Sequence, residues 1–193
     1  MMERLRIDGS EQGANAAAIA ALRAVGPRIY VACLAAYNNG ILHGAWIDAA
    51  QDTDEIWAEV SVMLKDSPIP SAEEWAIHDF EGFGAARIEE YSSFEYVSRL
   101  AEFLSVRGEA LGGQILSHFS GDLDEANAAF EDYAGCFASL STFMQDLTED
   151  TTTIPENLAL YIDYEAMGRD AELNGDLFTI ETGFEDTHIF WSR

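Results

Sequence analysis

Residues 108–168 carry twelve carboxylates and neither a lysine nor an arginine. Apolar residues recur through the same stretch at helical spacing, among them Leu123, Phe130 and Tyr133, so it reads as folded chain rather than a disordered acidic tail. A folded body that keeps one sign of charge over such a length forgoes the salt bridges of an ordinary surface. Stability does not account for that choice. The charge itself is the first candidate for a functional group.

Size and composition bound the rest. With 193 residues, 48% of them hydrophobic, the chain can bury a core as one large domain or as two to three small ones. Aromatic residues make up 11%, whereas acidic disordered chains are poor in them. The formal net charge is −25, from 35 acids against 10 bases, and Lys65 is the single lysine. Such polarity excludes direct binding to nucleic acid or an anionic membrane, because both are polyanions. It suits cations, basic proteins, or a protein surface built to receive a polyanion. Cys33 and Cys136 sit in apolar surroundings and are expected to be buried thiols of a reducing cytoplasm. No stretch is apolar enough to span a membrane. The Ala-rich run 14–24 is no signal peptide, since Glu3, Asp8 and Glu11 precede it and Arg23 interrupts it.

The order of elements predicts an α+β chain. Residues 1–26 are weakly patterned and read as a mobile extension with a short helix at most. Strand formers over 28–36 and 41–47 flank Asn39-Gly40, which predicts a hairpin. Asp52 or Thr53 then starts a helix to about Lys65 with Ile56, Val60, Met63 and Leu64 on one face. Pro68 and Pro70 end it, and 75–80 reads as a third strand. Residues 81–86, with Gly82 and Gly84, look like a hinge. A helix starting at Ser92 or Ser93 buries Phe94, Val97, Ala101 and Leu104 and stops at Gly108. A short, glycine-weakened helix over 110–119 follows, then a third from Asp122, with Glu125 in a capping-box-like place and Leu123, Phe130 and Tyr133 facing inward. A strand at 133–138, a helix over 140–149, a restart at Pro155 and a hairpin of 177–182 with 188–191 complete the chain. The domains drawn from this are 27–84, a helical 85–132 and 133–193. Gly44-Ala45-Trp46 and Gly135-Cys136-Phe137, each before an acidic helix, hint faintly at a repeat.

Charge spacing gives the acids a scale. Glu95, Glu102 and Glu109 are seven apart, a step of ~10.5 Å on one continuous helix, or about three phosphates of a DNA strand at ~3.4 Å each. Arg99 is placed to offset part of that row, and Gly108 weakens its last step. Asp124 with Glu131, and Glu125 with Asp132, repeat the spacing. Glu55 and Glu59 form a like-charge pair four apart, which costs ~0.2–0.5 kcal/mol on a helix. Duplex DNA carries one charge per ~1.7 Å of axis, so 25 net charges match about 43 Å of duplex, or roughly 12 to 13 base pairs.

Other chemistry is thinly supported. His78-Asp79 is a dipeptide of some metal phosphohydrolases, yet His43, His118 and His188 are scattered and supply no further ligand set. Asp122-Leu123-Asp124 and Asp52-Thr53-Asp54 do not continue as calcium loops and read better as acids at helix N-termini. No phosphate-cradling glycine loop, nucleophile elbow or triad is found. Trp57 and Tyr91 read as core or interface aromatics. No catalytic residue, metal or cofactor is predicted.

Five runs together point to a family. They are 27–49 (PRIYVACLAAYNNGILHGAWIDA), 52–64 (DTDEIWAEVSVML), 73–83 (EEWAIHDFEGF), 161–170 (YIDYEAMGRD) and 188–191 (HIFW). In these the chain resembles the ArdA antirestriction family over about 27–191. The resemblance implies an elongated, curved body of three small domains that imitates bent B-form DNA and dimerises through its C-terminal domain. It further implies a non-enzymatic function: occupying the DNA-binding groove of type I restriction-modification enzymes, so that incoming mobile DNA escapes cleavage and often modification. The residues assigned to the mimic surface form three groups: Asp52, Asp54, Glu55 and Glu59; Glu89, Glu90, Glu95, Glu102, Asp124, Glu125, Glu131 and Asp132; Asp146, Glu149, Asp150, Asp163, Glu165 and Asp170. Two rivals stay open, a metal-dependent hydrolase using His78 and Asp79 and a salt-adapted acidic interaction module.

Overall fold

The computed structural model describes residues 26–192; the expected mobile extension therefore lies outside the described residues, apart from Gly26. Among the described residues there are eight α-helices, one 3-10 turn and two three-stranded antiparallel sheets, a mixed α+β architecture. The chain divides into two compact units, Met1–Val106 and Arg107–Arg193. Helices expected to share a middle domain are thus divided between the two.

In the first unit the elements are β1 (Arg28–Cys33), α1 (Leu34–Asn38), β2 (Gly44–Asp48), α2 (Thr53–Lys65), β3 (Trp75–Glu81) and α3 (Phe94–Arg107). The strand order is β2-β1-β3, so the first strand of the chain becomes the centre of the sheet. Ile29 and Ile47 face each other across β1 and β2 and are fully buried. Helix α2 packs Ile56, Val60 and Met63 against these strands, each such side chain contributing about 1.5–3 kcal/mol of burial. Trp75 stacks on Phe94 at 4.2 Å while Trp57 meets both rings edge-on, which ties α2, β3 and α3 together. The Ser98 hydroxyl donates to the Gln51 carbonyl oxygen at 2.6 Å and adds a polar tie. Within the expected hinge at 81–86, Phe83 is buried against Phe80.

One turn differs from its sequence reading. Asn39-Gly40 does not form a two-residue hairpin turn. Leu34, Ala35 and Ala36 favour a helical turn, and Gly40 at φ 74° ends it. The Gly40 amide donates to the Tyr37 carbonyl oxygen at 2.9 Å and the Ile41 amide to that of Ala36 at 3.0 Å. A glycine in left-handed geometry serves a helix stop as well as a hairpin, and the preceding residues decide which.

The second unit holds α4 (Glu109–His118), α5 (Leu123–Ala129), a 3-10 turn (Phe130–Asp132), β4 (Tyr133–Phe137), α6 (Leu140–Thr151), α7 (Glu156–Ala159), α8 (Tyr164–Asn174), β5 (Leu177–Gly183) and β6 (Asp186–Trp191). Its strand order is β4-β6-β5, with the last strand at the centre. Side chains alternate across β6. On one face Ile189 joins Phe143, Met144 and Leu177 in a core that Leu140, Leu147, Tyr164 and Ala171 border. Gly168 lets α8 approach α6, since a Cβ there would lie 2.7 Å from Leu140 Cγ. On the other face Phe190 stacks on Phe178, which stacks on His118 of α4.

A helix restarts at Pro155 as expected, for a single turn (α7), and α8 follows with Asp163 capping it by accepting from the Ala166 amide at 2.9 Å. Two expectations fail here. Tyr133 does not face inward but lies 36% exposed at the start of an edge strand. Cys136 is exposed, unlike the buried Cys33, because that edge strand turns it away from the α6 and α8 face.

Candidate functional site: an acidic surface on both units

Residues 26–106 hold 14 acids against 4 bases and residues 107–193 hold 18 against 3, whereas residues 1–25 balance at 3 each. The whole net charge therefore comes from the two compact units.

Local structure explains how each group of acids is displayed. On α2 the apolar residues Ile56, Val60 and Met63 take the core side, so Asp54, Glu55 and Glu59 are left exposed, as is Asp52 at the N-cap. Acids in this first turn face the positive end of the helix dipole. Glu59 accepts from the Gln51 side-chain Nε2 at 2.8 Å. Glu89 and Glu90 lie exposed beside β3, held there by the Ile77 amide donating to the Glu90 carbonyl oxygen at 2.9 Å. On α3, Glu95 and Glu102 occupy the face opposite Phe94, Val97, Leu100, Ala101 and Leu104.

The proposed row of three does not continue. Helix α3 ends at Arg107, Gly108 separates the helices, and Glu109 belongs to the first turn of α4. Asp124 with Glu131 and Glu125 with Asp132 each span α5 and the 3-10 turn that follows it at Phe130, where the winding tightens from 3.6 to about 3.0 residues per turn. Asp124, Glu125 and Glu131 are exposed and Asp132 is half-buried.

Asp146, Glu149 and Asp150 share the exposed side of α6, opposite Phe143 and Met144. Glu149 accepts from the Gln145 side chain at 2.9 Å. Around α8, Glu165 and Asp170 are exposed; Asp163, also exposed, is the helix cap, and Arg169 approaches Asp170 at 3.5 Å. Arg28 pairs with Glu81 at 2.5 Å and lies over Trp46. Exposed pairs of this kind are worth about 0–1 kcal/mol.

The negative field acts on a neighbour. The Tyr91 phenol is held above its ordinary range, first by the Glu90 charge, then by burial, a hydrogen bond to Glu90 and the Glu74 charge. Tyr91 is 67% exposed, so it is a surface residue and not core. Trp57 is part of the aromatic cluster described above.

The metal readings from sequence sort themselves out. His78 is the extra residue of a bulge on β3, opposite Tyr30 and Val31, and its ring stands edge-on to Tyr37 at 4.7 Å. Asp79 accepts from the Phe80 amide at 2.8 Å. Asp122 caps α5, accepting from the Asp124 and Glu125 amides at 2.9 and 3.0 Å, as a helix N-terminal acid should. Among the described residues, the one group of three His, Cys, Asp or Glu close enough to share an ion is Cys136, Asp186 and His188. Sequence reasoning missed it. The signal was the Asp186-x-His188 spacing, which puts two side chains on one face of a strand. Cys136 donates to Asp186 at 2.8 Å. That bond raises the Cys136 pKa above the ordinary thiol value, with burial and the Asp186 charge acting the same way. The same bond lowers Asp186, aided by the Thr182 hydroxyl and His188 and opposed by burial. A thiol kept protonated is the reverse of an activated nucleophile.

No helix among the described residues is long and apolar enough to cross a membrane. Among curated proteins nothing matches the chain. The family described as "Antirestriction protein (ArdA)" matches residues 29–186, from the first strand of the first unit to the opening of β6 in the second. With the match running from the first sheet to the threshold of the last strand, this chain belongs to the ArdA family of antirestriction proteins.

Proposed function

We propose that this antirestriction protein acts without catalysis, as an acidic DNA mimic in the DNA-binding groove of a type I restriction-modification enzyme. It blocks cleavage of incoming DNA, and modification is the second activity expected to suffer, since both need the groove. The observation that carries the reading is the display of the acids. All but Asp132 of the residues assigned to the mimic surface are exposed, and those on α2, α3, α5 and α6 stand opposite buried apolar side chains that pin the helix. Carboxylates fixed in this way can replace phosphates with little reorganisation, and steer the encounter as DNA does.

The reading extends to an elongated body of three domains, a cytoplasmic setting, carriage on a mobile element, and a homodimer formed through the C-terminal part. Leu158, Leu160, Tyr161, Leu173 and Phe184 support the dimer, being large apolar side chains exposed on the second unit. Sedimentation over a concentration series tests it, and limited proteolysis near residues 84 and 132 tests the domains.

Competition is the decisive experiment. The purified protein should displace duplex DNA from a type I enzyme, with an affinity that falls as salt rises. Because the charge is spread, single Glu→Gln changes should be nearly silent, while neutralising Asp146, Glu149 and Asp150 together should weaken inhibition at least tenfold. Full-speed cleavage in the presence of excess protein sinks the proposal. Loss of stability at low salt with no effect on restriction would favour the salt-adapted reading.

A further inference from the structure

One face of the second unit's sheet meets α4 along β5, where the Gln114 side chain donates to the Glu181 carbonyl oxygen at 2.8 Å. Phe178 and Phe190 lie under His118 of α4. Further along the same face, Cys136 of β4 sits directly across from His188 of β6, and Asp186 lies two residues before His188 on the same side of the strand. The backbone pairing of β4 and β6 therefore brings three chemically different ligand groups together without help from a loop.

We propose that Cys136, Asp186 and His188 bind a divalent transition metal of zinc's chemistry, independently of the acidic mimic surface. One thiol sulfur, one carboxylate oxygen and one imidazole nitrogen lie within 4.8 Å of one another. Zinc bonds of ~2.0–2.3 Å place neighbouring ligands of a tetrahedron about 3.3–3.7 Å apart. Cys136 Sγ is 2.8 Å from Asp186 Oδ1, and that oxygen is 3.8 Å from His188 Nε2. Small side-chain rotations close the difference.

Surrounding groups hold the ligands as a metal site requires. The Tyr133 hydroxyl oxygen is 2.7 Å from His188 Nδ1, so Nδ1–H can donate there and leave the Nε2 lone pair for the ion. Thr182 donates to Asp186 Oδ2 at 2.5 Å, so Oδ1, which accepts from Cys136, is the oxygen that turns to the metal once the thiol loses its proton. Thr182 also lies 3.1 Å from His188 Nε2, a contact that the ion would replace. On binding, Cys136 releases its proton to solvent and coordinates as the thiolate. Three protein ligands leave a fourth position for water. A thiolate with an imidazole selects zinc or cobalt over calcium or magnesium. The ion would fasten the edge strand β4 to β6 and to the β5–β6 turn.

Cobalt titration of the full chain, stripped first with a chelator, tests this. One Co²⁺ per chain should bind with a thiolate-to-cobalt charge-transfer band and the d–d pattern of a four-coordinate ion, and Zn²⁺ should abolish both. Cys136→Ser should remove the band, Cys33→Ser should keep it, and His188→Ala should weaken binding at least tenfold. Zinc should raise the melting temperature of the parent protein and not that of Cys136→Ser, with circular dichroism checking each fold. Cobalt taken up without a thiolate band would be ions on the acidic surface and would overturn the proposal. So would a band that survives in Cys136→Ser, or no uptake by the parent protein.

Discussion

The two units build the same frame from opposite ends of their own sequence. Each has three antiparallel strands, and in each the edge strand that carries a glycine-led tripeptide leads into an acidic helix: β2 into α2, β4 into α6. In the first unit the central strand comes first in the chain; in the second it comes last. Connectivity thus differs by a cyclic shift, centre-edge-helix-edge against edge-helix-edge-centre. What differs in consequence is the filling. Strand β1 buries Ile29, Val31, Ala32 and Cys33, an almost wholly apolar strand. Strand β6 buries Ile189 and Phe190 but also carries Asp186, Thr187 and His188. An antiparallel frame tolerates either filling, provided that polar groups on it find partners.

The largest expected effect tests whether each centre serves only its own unit. Phe190→Ala removes a fully buried ring that meets Phe130, Tyr133 and Phe178, and should destabilise the second unit by about 3–5 kcal/mol. Trp46, Trp57 and Trp75 report on the first unit and Trp191 on the second. A Trp191→Phe background, in which fluorescence follows the first unit alone, should show its midpoint unmoved by Phe190→Ala. A midpoint that shifts equally would make the two sheets one cooperative body.

A smaller effect separates the two glycines that make the units look repeated. Gly44 is required by crowding, since a Cβ there would lie 2.6 Å from the Val31 carbonyl oxygen and 2.7 Å from the Tyr30 ring. Gly135 is required by its backbone, at φ 133°. Both Gly44→Ala and Gly135→Ala should cost about 1–3 kcal/mol, the first through overpacking and the second through strain. Trimming the crowding with Tyr30→Ala should soften the Gly44→Ala cost relative to Tyr30→Ala alone, and no such trimming at Phe137 should rescue Gly135→Ala. Rescue at both positions would mean that the glycines do the same job.

The smallest effect reads the surface field. Tyr91 should titrate above an ordinary phenol, and Glu90→Gln should bring it down towards that value, followed by ultraviolet absorption of the phenolate. Stability should barely move, because both groups are exposed. A Tyr91 titration indifferent to Glu90 would mean that the first unit does not project its charge locally.

Much of this was legible in the residues, for reasons that can be named. Helix α2 announced itself through Asp52 or Thr53 and its apolar face, and α3 through Phe94, Val97, Ala101 and Leu104. Those signals are local. Asn39-Gly40 was ambiguous because one backbone geometry ends both a helix and a strand. The line of Glu95, Glu102 and Glu109 assumed an unbroken helix that Gly108 interrupts. Cys136 and His188 could not be paired beforehand, since they lie 52 positions apart in sequence and meet only because β6 inserts between β4 and β5. Exposure of the helical acids Glu55, Glu59, Glu95 and Glu102, by contrast, follows from amphipathic spacing.

The cyclic shift has a consequence during synthesis. A ribosome delivers β1 before either of its neighbours, so the first sheet can grow outward from a strand already waiting. The second sheet has both rims made while its middle is still missing. Until β6 emerges, β4 and β5 have no ladder to join, and a nascent chain stalled before Asp186 would carry one finished sheet and two unpaired ribbons.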